Sequence, residues 1–327
     1  MTPPSTLSWL AAVLALTSPA VATSAHPKRG LVFTPNADHG KDNYIWTRPP
    51  TPLTWYYNYG ASPSIVFDNL TQSAFEFVPM LWGAPSDAND TTFLTTVQGL
   101  ISAGTNISHV MTFNEPDTAT DYGGSNVDPT LAAKVWVSNI EPLSKAGVKV
   151  GLPACTGGWG GLPWMRQFLG NCSALISAGE KNKRNCTFDF VPLHWYGNFD
   201  GLASHVGEWA GAFPNTSLWV TEYNYDNQDL ATTQSFFNSS VQLLDSWDQV
   251  ERYSFFGAFR STKSNVGANA AMLSAGGQLT DMGAWYLDRP ATGVLPSSTK
   301  ESSGAAALGR GWIGVVLGGV AVVALLL

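Results

Sequence analysis

Positive charge is scarce in this chain. Its 327 residues include 17 Lys and Arg against 24 Asp and Glu, a net charge of −7. That balance excludes, on electrostatic grounds, a nucleic-acid binder. Charge of either sign amounts to only 13% of residues, so solubility has to come partly from elsewhere. Histidine is also rare. The five present lie far apart, none at metal-ligand spacing, so neither a metal site nor a cofactor is expected. No Gly-x-Gly-x-x-Gly follows the first strand-like run, which weakens an open doubly wound sheet. No internal repeat and no interior linker stand out. Cysteine is limited to Cys155, Cys172 and Cys186. Cys172 and Cys186 flank a polar loop and are expected to pair, a closure worth about 3 kcal/mol in the chain-entropy model. Cys155 is then free and buried near a strand end. Pairing of Cys155 with one of the other two remains open on sequence alone.

Long apolar runs occur only at the two ends. Residues 7–16 form an apolar segment of leader length, and small residues follow, with cleavage expected after Ala22 or Ala25. The leader has no Lys or Arg. Residues 312–327 are wholly apolar, marginal in length for a span. Small residues around Ser303 and a short spacer precede them, the pattern of a glycolipid-anchor signal. An ordinary tail-anchored helix is the alternative. The expected organisation is a leader over 1–25 and one domain over 26–290. A disordered Ser/Gly/Ala-rich stalk follows over 291–311, with the anchor attached near Ser303, and then a removable tail over 312–327. Seven Asn-x-Ser/Thr sequons, at Asn69, Asn89, Asn106, Asn171, Asn185, Asn215 and Asn238, offer glycosylation sites for a secreted, cell-surface protein.

Within the domain, strand-like runs fall at 29–33, 54–59, 75–82, 109–114, 149–154, 188–196, 218–223 and 252–259. Helical patterns fall between most of them, at 91–103, 129–146, 162–179, 200–212 and 229–248. Asp128-Pro129 reads as a helix start, with Asp as N-cap and Pro at the first position. Eight strands alternating with helices predict an α/β fold, a (β/α)₈ TIM barrel.

In such a barrel the C-terminal strand tips form the active face. The fourth run ends in Asn114 and Glu115, and Pro116 stops it because proline cannot donate to a ladder. The seventh ends in Glu222 and the sixth in His194, Trp195 and Tyr196. The second and third contribute Tyr59 and Trp82. Hydrolysis of a glycosidic bond needs two carboxyl groups, which Glu115 and Glu222 can supply. Asn114 is suited to a sugar 2-hydroxyl, and His194 or Tyr196 to holding the nucleophile and tuning its pKa. With 13 Trp and 10 Tyr in the chain, Trp46, Trp82, Trp159 and Trp164 are candidates for stacking on sugar rings. Core or rim packing is the competing role for each.

These residues carry a family resemblance. Asn114-Glu115-Pro116, with a glutamate ending the seventh run, resembles clan A of the retaining glycoside hydrolases. More narrowly, the chain resembles glycoside hydrolase family 128, mostly fungal β-1,3-glucanases. The similar pieces run in order: residues 28–30, 55–59, 79–83, 113–117, 190–197, 219–222 and 251–253. The resemblance implies Glu115 as acid/base and Glu222 as nucleophile, and cleavage of β-1,3-glucan at a fungal cell wall. The expected partner is a β-glucan polysaccharide or oligosaccharide, and a monomer is expected that meets the membrane only through the lipid anchor read from the C-terminal pattern. Two departures stand out: Phe255 occupies a position where a tryptophan is expected, and Tyr223-Asn224-Tyr225 differ from the pattern. A wall-remodelling transglycosylase and a non-catalytic glucan-binding surface protein are the alternatives.

Overall fold

A computed structural model describes residues 28–301. The expected leader and the anchor signal lie outside the described residues. The strands are β1 (Gly30–Val32), β2 (Trp55–Tyr57), β3 (Glu76–Phe77), β4 (Met80–Leu81), β5 (His109–Asn114), β6 (Lys149–Ala154), β7 (Phe190–Tyr196), β8 (Ser217–Asn224) and β9 (Val250–Phe255). All pair in parallel, as a three-stranded sheet β1-β2-β3 and a six-stranded sheet running in order from β4 to β9.

The third run, expected as one strand, is divided between the two sheets. Val78 donates to the Tyr56 carbonyl on one side, while the Pro79 carbonyl accepts from Met111 on the other. Pro79 has no N–H, so it cannot continue the first ladder, and the pairing changes partner there. The remaining edges also meet. Arg29 and Tyr253 form an isolated parallel bridge, and Tyr253 donates to the Lys28 carbonyl at 2.8 Å.

Side chains alternate across the strands as the period of two demands. Val32, Tyr57, Met80, Met111, Phe190 and Trp219 belong to a small cluster among the strands, and Val110 and Phe113 belong to the larger core beneath the helices. Those helices are α1 (Thr92–Ser102), α2 (Pro129–Asn139), α3 (Glu141–Lys145), α4 (Gly161–Ile176), α5 (Phe199–Ala212), α6 (Leu230–Ser246) and α7 (Asp281–Tyr286). Asp128 caps α2 by accepting from the Thr130 and Leu131 amides at 2.8 and 3.2 Å. The helix expected over 129–146 is two helices, because Pro142 cannot donate an intrahelical bond and crowds the turn before it. After β1 and β2 the chain makes only short 3₁₀ turns, Gly40–Tyr44 and Ile65–Phe67.

Residues 291–301, expected to belong to a disordered stalk, are instead tied to the domain. Thr292 and Gly293 amides donate to Asp281, and the Pro296 and Ser298 carbonyls accept from Ala275 and Gly276. A Ser-rich composition does not prevent order when the backbone finds fixed partners. Cys172, near the end of α4, is bonded to Cys186, and Cys155 is a buried free thiol. Six of the seven sequon asparagines are exposed, and Asn171 is half-buried, so glycans would meet open surface at most of them.

Candidate active site

The β5 end is shaped by its backbone. The Glu115 amide donates to the Ala154 carbonyl at 2.7 Å, and Glu115 holds φ at +43°. Tyr59, at the end of the β2 segment, has φ of +61°. Non-glycine residues in this region store strain, which tends to gather at working sites. Asp117 fastens the loop after β5 to the end of β6, accepting from the Thr156 amide and hydroxyl at 3.0 and 2.7 Å. Gly124 is needed close by: a Cβ there would come within 2.6 Å of the Glu115 carbonyl.

The β7–β8 ladder shifts register after Leu193, which brings His194 opposite Glu222. The His194 Nδ1 lies 3.0 Å from Glu115 Oε1 and 3.7 Å from Glu222 Oε2, and its Nε2 lies 3.1 Å from Thr221 Oγ1. One ligand atom from each of Glu115, His194 and Glu222 falls within 4.8 Å of the others, and all three side chains are buried. Burial opposes a charge on His194. The Glu222 charge and the Glu115 hydrogen bond and charge outweigh it and raise the histidine's pKa.

Glu222 is held mainly by phenols. Tyr59 donates to Oε1 at 2.7 Å, Tyr196 donates to Oε2 at 2.7 Å, and Tyr57 reaches Oε1 at 3.4 Å. Burial and the Glu222 charge push all three hydroxyls well above the ordinary tyrosine range, so each remains a proton donor. Glu115 receives His194 at one oxygen only. The two carboxylates therefore sit in different settings, one wrapped by three donors and the other held at one edge.

Around them opens a cavity of about 550 Å³ lined by Tyr59, Trp82, Asn114, Tyr122, Tyr196 and Phe256 as well as the glutamates. Asn114 donates its amide to the Gly123 carbonyl at 3.1 Å, and its buried Oδ1 has no protein partner. That atom can accept from a ligand hydroxyl. Trp82 is partly exposed on the rim.

Three of the four expected sugar-stacking tryptophans lie outside this cavity. Trp46 is buried and lines a neighbouring cavity instead of the one with the glutamates. Trp159 is 94% exposed and lines neither cavity, because Gly157–Gly160 carry it outward on a loop. Trp164 is structural: its indole donates to the Val127 carbonyl and stacks on Phe168. Phe255, where a tryptophan was expected, points into the outer core against Tyr223 and Phe237, and it is Phe256 that reaches the cavity. Tyr223 and Tyr225 likewise pack outward against Phe236. Three residues of the site escaped the sequence reading: Tyr57, buried against Glu222, and the cavity residues Tyr122 and Phe256. The alternation Trp55, Tyr57, Tyr59 could have pointed to Tyr57. Tyr122 ends a single 3₁₀ turn, Thr120–Tyr122, too short to carry a readable period.

The model of the family described as "Glycosyl hydrolase catalytic core" matches residues 30–286. Alkali-sensitive linkage protein 1 of Schizosaccharomyces pombe is 28% identical over 275 residues. The match takes in 81% of this chain but 45% of that protein, so the chain spans less than half the length of its curated relative. A curdlan-specific exo-β-1,3-glucanase of family 128 from Blastomyces gilchristii, solved with glucose, is 26% identical. It superposes with a TM-score of 0.61 over 81% of this chain and 99% of its own. A family 128 oligosaccharide-binding protein from Cryptococcus neoformans, 23% identical, shares the fold with a TM-score of 0.60 over 83% and 98% of the two chains.

Proposed function

Because the chain belongs to the glycosyl hydrolase catalytic core family, and within it to glycoside hydrolase family 128, we propose that it is a retaining β-1,3-glucanase. The observation that carries the reading is the pair of buried carboxyl groups on the tips of β5 and β8, with one oxygen of each within 4.8 Å. Retaining enzymes hold their carboxyls about 5–5.5 Å apart, and inverting enzymes leave about 6.5–9.5 Å for a water. The fold reading goes with it. The joins at Val78–Pro79 and at the Arg29–Tyr253 bridge support reading the two sheets as one barrel of eight strands, β3 and β4 counting as one.

Glu222 attacks the anomeric carbon as the bond from that carbon to the leaving oxygen breaks, and the leaving oxygen takes the Glu115 proton. Water then gives a proton to Glu115 and attacks the same carbon, which frees Glu222. One water is consumed, and both glutamates return to their starting states. Tyr59 and Tyr196 hold both Glu222 oxygens, so its approach to the sugar is fixed. His194 bonds Glu115 at one oxygen, lies 3.7 Å from Glu222, and so keeps the two carboxyl groups in line. Asn114 Oδ1 is available to a hydroxyl of the sugar being cleaved.

The test is incubation with linear β-1,3-glucan and observation of the first-formed anomer by NMR. The β-anomer is expected, and an α-anomer would replace retention with inversion. Products longer than the substrate would favour the transglycosylase, and binding without turnover the non-catalytic reading. We propose further that the protein is secreted and held at a fungal cell surface by a glycolipid anchor. Release from cells by a phospholipase that cuts such anchors is the expected result.

A further inference from the structure

We propose that the Cys172–Cys186 disulfide selects between two glycosylation sites: it closes Asn171 and leaves Asn185 open to an N-linked oligosaccharide. The inference rests on the reading of the chain as secreted and is independent of its catalysis.

Of the seven sequons, two have cysteine as their middle residue, Asn171-Cys172-Ser173 and Asn185-Cys186-Thr187. Those two cysteines are the ones that form the disulfide. One covalent bond therefore joins the centres of both sequons.

The two ends of that bond differ. The first sequon lies within α4, and the second lies on irregular backbone ahead of β7. A sequon is defined by its asparagine and by the hydroxyl two residues on. An extended chain puts residues i and i+2 on one face, whereas on a helix they do not face each other. In α4, Asn171 and Ser173 are therefore turned apart.

The fold also engages every member of the first sequon. Asn171 Nδ2, the atom that would take the sugar, donates to Thr130 Oγ1 in the first turn of α2 at 3.3 Å. Ser173 Oγ accepts from the Cys186 amide at 3.1 Å. The hydroxyl of the first sequon is thus held by the backbone of the second, and the disulfide keeps the two together. Asn171 is half-buried, while Asn185 and Thr187 are both exposed. An N-linked sugar is bulky and needs open surface, which the second sequon offers.

Two reactions meet in this segment. In closure, the two thiols pass two electrons and two protons by exchange to an oxidised dithiol carrier. In glycosylation, the asparagine Nδ2 bonds to C1 of an oligosaccharide held on a lipid pyrophosphate. The bond from C1 to the pyrophosphate oxygen breaks, and the amide loses one proton. Both asparagines are acceptors in the reduced, extended chain. Closure ends the exposure of Asn171, whereas Asn185 remains an acceptor before and after it.

The test expresses the full chain in a fungal secretory host and reads the occupancy of each sequon by mass spectrometry. Glycans are removed enzymatically in ¹⁸O water, which marks every asparagine that carried one. Cells and medium are pooled, so a variant that folds poorly is still read. In the wild type, Asn185 should be filled in most molecules and Asn171 in few. A Cys172→Ala/Cys186→Ala double variant keeps both sequons, and its Asn171 occupancy should rise at least fivefold with Asn185 unchanged. Wild-type cells grown with dithiothreitol should show the same rise. Asn171 filled as often as Asn185 in the wild type, or Asn185 bare while other sequons are filled, overturns the proposal. An Asn171 that stays bare without the disulfide assigns its closure to α4 alone and overturns the selection. A chain bare at all seven sequons overturns the secreted reading, and the proposal with it.

Discussion

At Glu222, two short phenol hydrogen bonds hold the two carboxylate oxygens in place. A hydrogen bond to a charged group contributes about 1.5–3 kcal/mol, or roughly ten- to a hundredfold in rate where it is needed in the transition state. Tyr196→Phe should therefore lower kcat/KM by about that factor while the fold stays intact. An unchanged kcat/KM would mean that Tyr196 does not position Glu222. The division of labour between the glutamates has its own signature. Glu222→Ala should abolish the covalent step, and azide filling the vacated space should give an α-glycosyl azide. Glu115→Ala should hurt substrates with poor leaving groups most. With an activated aryl glycoside, azide should intercept its intermediate as the β-azide. The reverse pairing of products would exchange the two roles.

Among the elements, α2 shows how far local chemistry reaches. Its start is legible as Asp-Pro, and the Asp128 side chain does cap two amides. Asp128→Ala should lower stability by about 1 kcal/mol in denaturant unfolding without changing kcat, since the cap is exposed and remote from the cleft. Its end is less legible. Proline is tolerated in a first turn, so Pro142 can be read as inside one helix or near the start of a second. The tertiary context selects the second: the Asn139 side chain donates to the Asp90 carbonyl and accepts from the Leu94 amide, which locks the break against α1.

For the molecule as a whole, an ionic cluster joins the two sheets at the end opposite the site. Glu76 at the start of β3 meets His109 of β5 at 2.8 Å and Arg252 of β9 at 2.7 Å. The Arg252 guanidinium lies over Trp219, 4.3 Å from its ring centre. Burial alone would raise the Glu76 pKa. The His109 hydrogen bond and the Arg252 charge overcome it and hold the carboxyl at about 2, against 4.5 for the free side chain. A depressed carboxylate gives stability that is present above the unfolded pKa and lost as pH falls through the folded one. The window is thus about pH 4.5 down to 2, and the contribution is at most about 3 kcal/mol. Glu76→Gln should be destabilised near neutral pH, and its deficit against wild type should shrink across that window. A deficit constant with pH would remove the ionic contribution.

The sequence by itself determined the succession of elements and the carriers of the chemistry. Period-two apolar runs, proline stops and the Asp-Pro cap act over a few residues, so the strands, most helices and the placement of Asn114, Glu115, His194, Tyr196 and Glu222 at strand ends could be read directly. Only the tertiary structure decided what surrounds them. A register shift sets His194 between the glutamates, the ladders divide at Pro79, and alternation counted from the true strand end replaces Phe255 with Phe256 in the cavity. Trp46 and Trp159 have the same side chain, yet one is buried and the other almost fully exposed. Residue type states what a side chain prefers. Which face it meets is set by contacts between strands and loops far apart in the chain, and no local pattern encodes those.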